Sequence, residues 1–286
     1  MSFLNSVRAA DERCTPEQLR KSPNRIIFPA GLSQPIGLSD EAFQQYSPEQ
    51  LTKALLADDS SVVQLESIWI EFAIFYKQRA NPKHELLLFK VRDSNNPGIS
   101  NFILLDRSID KPGTEVARRR VVSSFPSEHT VVNLFCGRAR DRFYISNNGS
   151  FSAIANAWGK SHTVLESMRF LNPTSFKLVQ LLTLASLTSG RCITYHIRNG
   201  NCYWYAGTIW ECMMELSGQE FKHRVYESGR GKLFSTKWKG LDHRPDIMSL
   251  FPEALETLRR QCLENKLVSK MGNFVKCIYS LDVCFC

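Results

Sequence analysis

The sequence predicts an α+β fold, with an antiparallel sheet of about five or six strands at residues 62–198 packed by helices. The first half holds short runs rich in Ile, Val, Leu and Phe, separated by turn residues. The second half holds apolar residues at helical spacing. With 286 residues, 43% of them hydrophobic and 22% charged, the chain can bury a core without disulfides or metals.

We expect residues 1–60 to form an N-terminal extension of helices and loops, 61–270 a single α+β domain, and 271–286 a C-terminal tail. The extension contains two helix-start signatures, Thr15-Pro16-Glu17-Gln18 and Ser47-Pro48-Glu49-Gln50. In each, a hydroxyl can cap the helix, proline fits the first helical position, and glutamine completes a capping box. Two short helices are predicted there.

The strands follow in order along the chain. Polar turn residues separate them, including a turn predicted at residues 137–141. Because consecutive short strands with short connections pair most simply as hairpins, an antiparallel meander is expected. The predicted strands are residues 67–76, 84–91, 101–106, 130–136, 142–146 and 192–198.

Three helices should cover this sheet. A buried helix is predicted at 176–187, and an amphipathic helix at 202–216, where one apolar stripe recurs at helical spacing. The basic segment 229–245 is expected to be a loop, followed by a last helix at about 252–268.

Several classes of protein are excluded by composition. No apolar run reaches the roughly 20 residues of a membrane span, and the first residues lack a signal-peptide core. Nine cysteines without a C-x-x-C pair argue against a disulfide framework or zinc site, so we expect a cytoplasmic or nuclear protein with no cofactor. The net charge of +8 is scattered, so we expect a protein partner of unknown identity rather than nucleic acid.

The segment Cys202-Tyr203-Trp204-Tyr205-Ala206 resembles a signature of proteins from mushroom-forming fungi, in which a cysteine and an aromatic pair open a helix. The strand at residues 102–107 looks like another part of that group. The resemblance covers about residues 60–216, and it implies no activity.

The pair Asn201-Cys202, followed by an aromatic helix start, is similar to a second family. It resembles the permuted papain-like thiol hydrolases and acyltransferases, such as the lecithin:retinol acyltransferase group. That resemblance implies that Cys202 is the nucleophile and that a strand-borne histidine precedes it. The physical basis is general, because the positive end of a helix dipole favours a thiolate and a nearby histidine can form an ion pair with it.

Two histidines compete for that role. His84 opens a predicted strand, and Asp106 on the next strand could orient its ring. His129 also opens a strand, with Asn133 as its partner. We prefer His84 with Asp106, because neighbours in a hairpin are the simplest way to fix such an orientation.

A different role for Cys202 is core packing, since it lies on the apolar stripe of its helix. Our first expectation is therefore a non-catalytic interaction or scaffold module. The alternative is a permuted papain-like cysteine hydrolase or acyltransferase that uses Cys202 with His84 or His129. A second alternative is weak nucleic-acid binding through the cations of the basic loop, Lys232, Lys237, Lys239 and Arg244.

Overall fold

A computed structural model of the protein describes most of the predicted α+β region. The described residues are 24–29, 43–57, 65–79, 83–110, 136–151, 154, 162–196, 200–228, 230–233, 236–237 and 242–282.

An eight-stranded sheet with antiparallel pairing forms the centre of the fold. Its strand order is β1-β5-β4-β3-β2-β6-β8, and β7 pairs with β5 off this path. A separate two-stranded hairpin joins β9 and β10. The strands are β1 (Phe43–Tyr46), β2 (Ile68–Gln78), β3 (Glu85–Asp93), β4 (Ser100–Ile109), β5 (Cys136–Ser146), β6 (His162–Phe170), β7 (Thr194–His196), β8 (Phe221–Val225), β9 (Lys232–Leu233) and β10 (Thr236–Lys237).

Four helices accompany the sheet: α1 (Pro48–Ala57), α2 (Leu178–Arg191), α3 (Cys202–Ser217) and α4 (Arg244–Asp282). The start of α1 has the predicted capping box. Ser47 Oγ accepts from the Gln50 backbone N–H at 3.1 Å, and the Gln50 side chain accepts from the Ser47 N–H at 2.9 Å. These two bonds satisfy donors that a helix start otherwise leaves open.

The α+β class is confirmed, but the sheet has eight strands rather than five or six. Strands β1, β6 and β8 were not predicted. The turn predicted at 137–141 is also wrong, because these residues lie inside β5. Gly137 suits this position because a Cβ there would lie 3.0 Å from the Ile109 side chain. The first predicted helix and most of the strand at 130–136 lie outside the described residues.

Two elements of the expected N-terminal extension contact the rest of the fold. Strand β1 pairs with β5, with Phe43 opposite Ser146 and Tyr46 opposite Phe143. In α1, Leu51 and Leu55 are buried in the main core. Helix α4 runs without interruption from Arg244 to Asp282, across the boundary expected at residue 270.

The central strands bury both of their faces. On β3, Leu87 and Phe89 join the main core beneath α2 and α3, whereas Leu86 and Leu88 belong to a second apolar cluster. Alternate side chains of a strand point to opposite faces, so this division follows from the run of apolar residues in β3. The central strands therefore form a packed surface on which α2 and α3 lie.

None of the helices in the described part of the chain combines the length and the apolar character needed to cross a bilayer.

Candidate active site

Cys202 is the first residue of α3. The preceding residue, Asn201, is the N-cap, and its side-chain oxygen accepts from the Trp204 backbone N–H at 3.0 Å. Asparagine is among the best N-cap residues because its short side chain reaches this donor. The cap therefore fixes where the helix begins, and it sets the Cys202 thiol at the positive end of the helix dipole.

His84 and Asp106 meet at one end of the β3–β4 hairpin. His84 immediately precedes β3, and Asp106 lies on β4, one residue beyond the pair Leu87 and Leu105. The Nε2 atom of His84 makes a short contact with Asp106 Oδ1. Asp106 is buried, so the hairpin holds a carboxylate against the ring where water screens it little.

The three residues of the preferred prediction lie together. Burial alone lowers the pKa of His84, but the charges of Asp106 and Cys202, and hydrogen bonds to both, outweigh burial and raise this pKa well above 6.5. A hydrogen bond between His84 and Cys202 requires the imidazole and the sulfur to be neighbours. The structure thus brings Cys202, His84 and Asp106 into one cluster, in which the imidazole contacts both the thiol and the carboxylate.

Tyr195 is a fourth member of the cluster that the sequence did not identify. Its hydroxyl, on β7, donates to Cys202 Sγ at 3.7 Å. Burial raises the pKa of Tyr195, and the charge of Cys202 and this hydrogen bond raise it further, while a bond from the Cys202 backbone N–H lowers it. The phenol therefore stays protonated and keeps a donor beside the sulfur. The only signal in the sequence was the separation of seven residues between Tyr195 and Cys202.

The residues flanking the cluster are tied to each other. The Tyr203 hydroxyl donates to the carbonyl of Lys83, which connects the first turn of α3 to the residue before His84. Glu85, the residue after His84, accepts from Lys77 Nζ at 2.7 Å and from the Gly231 N–H at 2.9 Å. These bonds hold the chain on both sides of His84.

Glu85 is almost fully buried, and burial raises its pKa to about 7, against the opposing effects of Lys77, Gly231 and Arg230. The carboxyl beside this cluster therefore titrates near neutral pH instead of in its usual acidic range.

Access to the Cys202 sulfur is restricted. A nucleophile must be reached by its substrate, yet this residue is only 3% exposed. Two cavities lie elsewhere. One of about 470 Å³ lies among α1, α2 and α4, and one of about 540 Å³ lies beside the second half of α3. Cys202 lines neither of these two cavities.

The other predicted residues have different positions. His129 and Asn133 lie outside the described residues, as does Lys239 of the basic loop. Arg244 pairs with Glu211 at 3.6 Å and with Asp242 at 3.7 Å. Acidic neighbours therefore balance part of the positive charge of the loop.

Within the described ranges, no group of three or more His, Cys, Asp and Glu side chains is arranged to hold a metal ion. Comparison with protein families, with curated proteins and with solved structures found no match.

Proposed function

We propose that the protein is a thiol enzyme that hydrolyses or transfers an acyl group, with Cys202 as nucleophile, His84 as proton acceptor and donor, and Asp106 as the group that orients His84. The observation that supports this proposal is the meeting of these three side chains at the start of α3. A nucleophile next to a base that a third group orients is the common pattern of covalent acyl transfer.

The steps follow from the positions of the proton and the charge. His84 takes the proton of the Cys202 thiol, and the carboxylate of Asp106 stabilises the resulting imidazolium. The thiolate attacks the carbonyl carbon of an ester or amide and forms a C–S bond. The C–O or C–N bond then breaks, and His84 gives its proton to the leaving alcohol or amine. Water, or another acceptor deprotonated by His84, cleaves the thioester and restores the thiol.

The oxyanion formed during attack needs hydrogen-bond donors. The Tyr195 hydroxyl lies beside the sulfur, and the positive end of the α3 dipole lies in the same region. Removing one such donor typically costs about 10²–10³-fold in rate. We therefore assign to Tyr195 the role of a donor to the sulfur and then to the oxyanion.

The non-catalytic interaction or scaffold module remains a second candidate. The burial of Cys202 favours it, since a thiol that is 3% exposed also fits a packing role. The two candidates differ in one measurable property, the ability of Cys202 to carry an acyl group.

The test is acylation by p-nitrophenyl acetate, followed by mass spectrometry of the digested protein. We expect release of p-nitrophenol together with an acetyl group on the peptide that contains Cys202. Cys212 provides a matched internal control, because it is buried on the same helix and has a pKa raised to about 12 by burial. Acetylation of neither cysteine, or equal acetylation of both, would contradict the proposal and leave the scaffold interpretation.

A further inference from the structure

A row of three arginines extends along β5 from the catalytic cluster. Arg138, Arg140 and Arg142 alternate with Ala139 and Asp141. Alternate side chains of a strand share a face, with a spacing of about 7 Å, so the three arginines point to the same side of the sheet. We call these three residues the arginine row.

The register of β4 and β5 relates this row to the catalytic residues. Arg142 lies directly opposite Asp106, and Arg140 lies opposite Ser108, with no register shift between these strands. Residues directly opposite in an antiparallel pair have side chains on the same face. The row therefore begins next to the carboxylate that orients His84.

The two acids nearest the row make their ion pairs with other residues. Asp106 contacts His84, and Asp141, on the opposite face, pairs with Arg107 at 3.5 Å. None of the three arginines forms an ion pair with a described carboxylate. The Nε atoms of Arg140 and Arg142 are buried, and no described residue accepts a hydrogen bond from them. A buried charged donor without an acceptor is costly, so such donors are normally matched by a ligand or a partner.

The burial of these side chains favours a small anion over a long one. Arg138 is exposed, whereas Arg140 and Arg142 are only partly exposed, so the fold restrains the two guanidinium groups nearest Asp106. A planar guanidinium held in this way suits the paired oxygens of a carboxylate or phosphate. A long polyanion such as nucleic acid would instead require a broad exposed surface.

We infer that the arginine row binds an oxyanion, a carboxylate or phosphate, carried by the substrate of Cys202. This inference rests on the proposed function, and it adds the substrate class: an acyl compound with a negatively charged group close to the reacting carbonyl. Arg142 and Arg140 hold the charged group, and Arg138 lies at the open end of the row.

Calorimetric binding of glutarate and of inorganic phosphate tests the site without requiring catalysis. We compare the wild-type protein with Arg140→Gln, Arg142→Gln and the control Arg169→Gln, which changes an exposed arginine on β6. The wild type should bind one of the two anions, and either row variant should weaken that binding about tenfold, as expected for a charged hydrogen bond. The control should leave the affinity unchanged. The anion that binds identifies the charged group as carboxylate or phosphate.

Three results would overturn the inference: no binding of either anion, unchanged binding in both row variants, or dependence on the row only for a short DNA duplex. Thermal unfolding of each variant ensures that a loss of binding does not reflect misfolding.

A pair of esters tests whether the site serves Cys202. If glutarate binds, the wild type should cleave mono-p-nitrophenyl glutarate faster than the neutral p-nitrophenyl valerate, and Arg142→Gln should abolish that preference. Cleavage of both esters without a preference would contradict the substrate role of the row. If neither ester is cleaved, the proposed function fails, and the calorimetry still decides whether the row binds an anion.

Discussion

The two halves of helix α3 contain similar groups in different arrangements. The first half holds Cys202 next to the pair His84 and Asp106. The second half holds Cys212 and packs near another imidazole–carboxylate pair, His223 with Glu166 at 2.9 Å. A cysteine and a histidine–carboxylate pair are therefore present at both places.

The difference lies in what each carboxylate and each thiol contacts. Glu166 also accepts from Trp210 Nε1 at 2.9 Å and pairs with Arg230 at 3.2 Å, so it stabilises the packing of α3 on the sheet. Burial raises the pKa of the Cys212 thiol to about 12. A histidine–carboxylate pair is thus common structural chemistry, and the contact between imidazole and sulfur makes the first half of α3 a candidate active site.

The largest difference between the halves should appear when each cysteine is replaced. Cys202→Ala should lower the acylation rate by about 10³-fold or more, because it removes the nucleophile. Cys212→Ala should retain the rate per folded molecule and lose only stability, from the small cavity. The measurement is p-nitrophenol release with circular dichroism as a check of folding. Equal losses in both variants would contradict our assignment.

Replacing the two histidines sharpens the same comparison. His84→Ala should reduce acylation about 10²–10⁴-fold, the usual contribution of a positioned acid–base group. His223→Ala should leave the rate unchanged. Stopped-flow rates at pH 7 measure both effects. A larger loss in the His223 variant would contradict the assignment of the active site to the first half of α3.

A smaller effect is expected from Tyr195→Phe, which keeps the ring and removes the donor to the sulfur. The maximal acylation rate should fall about 10²-fold, and the concentration for half-saturation should change little, because the lost hydrogen bond forms in the transition state. Tyr205→Phe is the matched control, since Tyr205 is a buried tyrosine on α3, the helix of Cys202, and its hydroxyl contacts Ser189. If both variants behave alike, Tyr195 has no special role.

The smallest effect concerns stability. The raised pKa of His84 means that its protonated form stabilises the folded state. This stabilisation is complete below pH 6.5 and is lost as the pH rises through the raised pKa. Asp106→Asn removes a charge that raises the pKa, so its loss of unfolding free energy should be greatest at low pH and shrink as the pH rises.

Urea unfolding between pH 6 and pH 9 measures this dependence. Glu49→Gln provides a control whose effect should not change in this window, because the exposed Lys53 lowers the pKa of Glu49 and its stabilisation is lost only below the ordinary value of 4.5. A loss in Asp106→Asn that does not change with pH would show that the aspartate does not stabilise a protonated His84.

The sequence predicted the parts of the site that depend on local patterns. The apolar stripe that starts at Cys202 predicted where α3 begins, and the hairpin predicted that His84 and Asp106 would be neighbours. Tyr195 was missed because its contact with Cys202 depends on β7, a strand of three residues whose pairing with β5 is non-local.

The arginine row was missed for a related reason. The polar residues around Gly137 suggested a turn, although arginine at every second position also fits a strand with one charged face. Only the pairing of β5 with β4 distinguishes these possibilities, and a short window of sequence does not contain that pairing. The predicted number of strands was too low for a similar reason. Strands β1 and β8 lie at the edges of the sheet and carry polar residues, so their sequences lack the apolar pattern of a central strand.

The most direct test of the account compares alkylation of the two cysteines of α3 at pH 6. The protein is treated with iodoacetamide, and the labelling rate of each cysteine is followed by peptide mapping. We expect Cys202 to react much faster than Cys212, and we expect His84→Ala to remove that advantage, because a neighbouring imidazole favours the reactive thiolate form of a cysteine. Slow and equal labelling of both cysteines, unchanged in His84→Ala, would contradict the account and leave Cys202 as a packing residue.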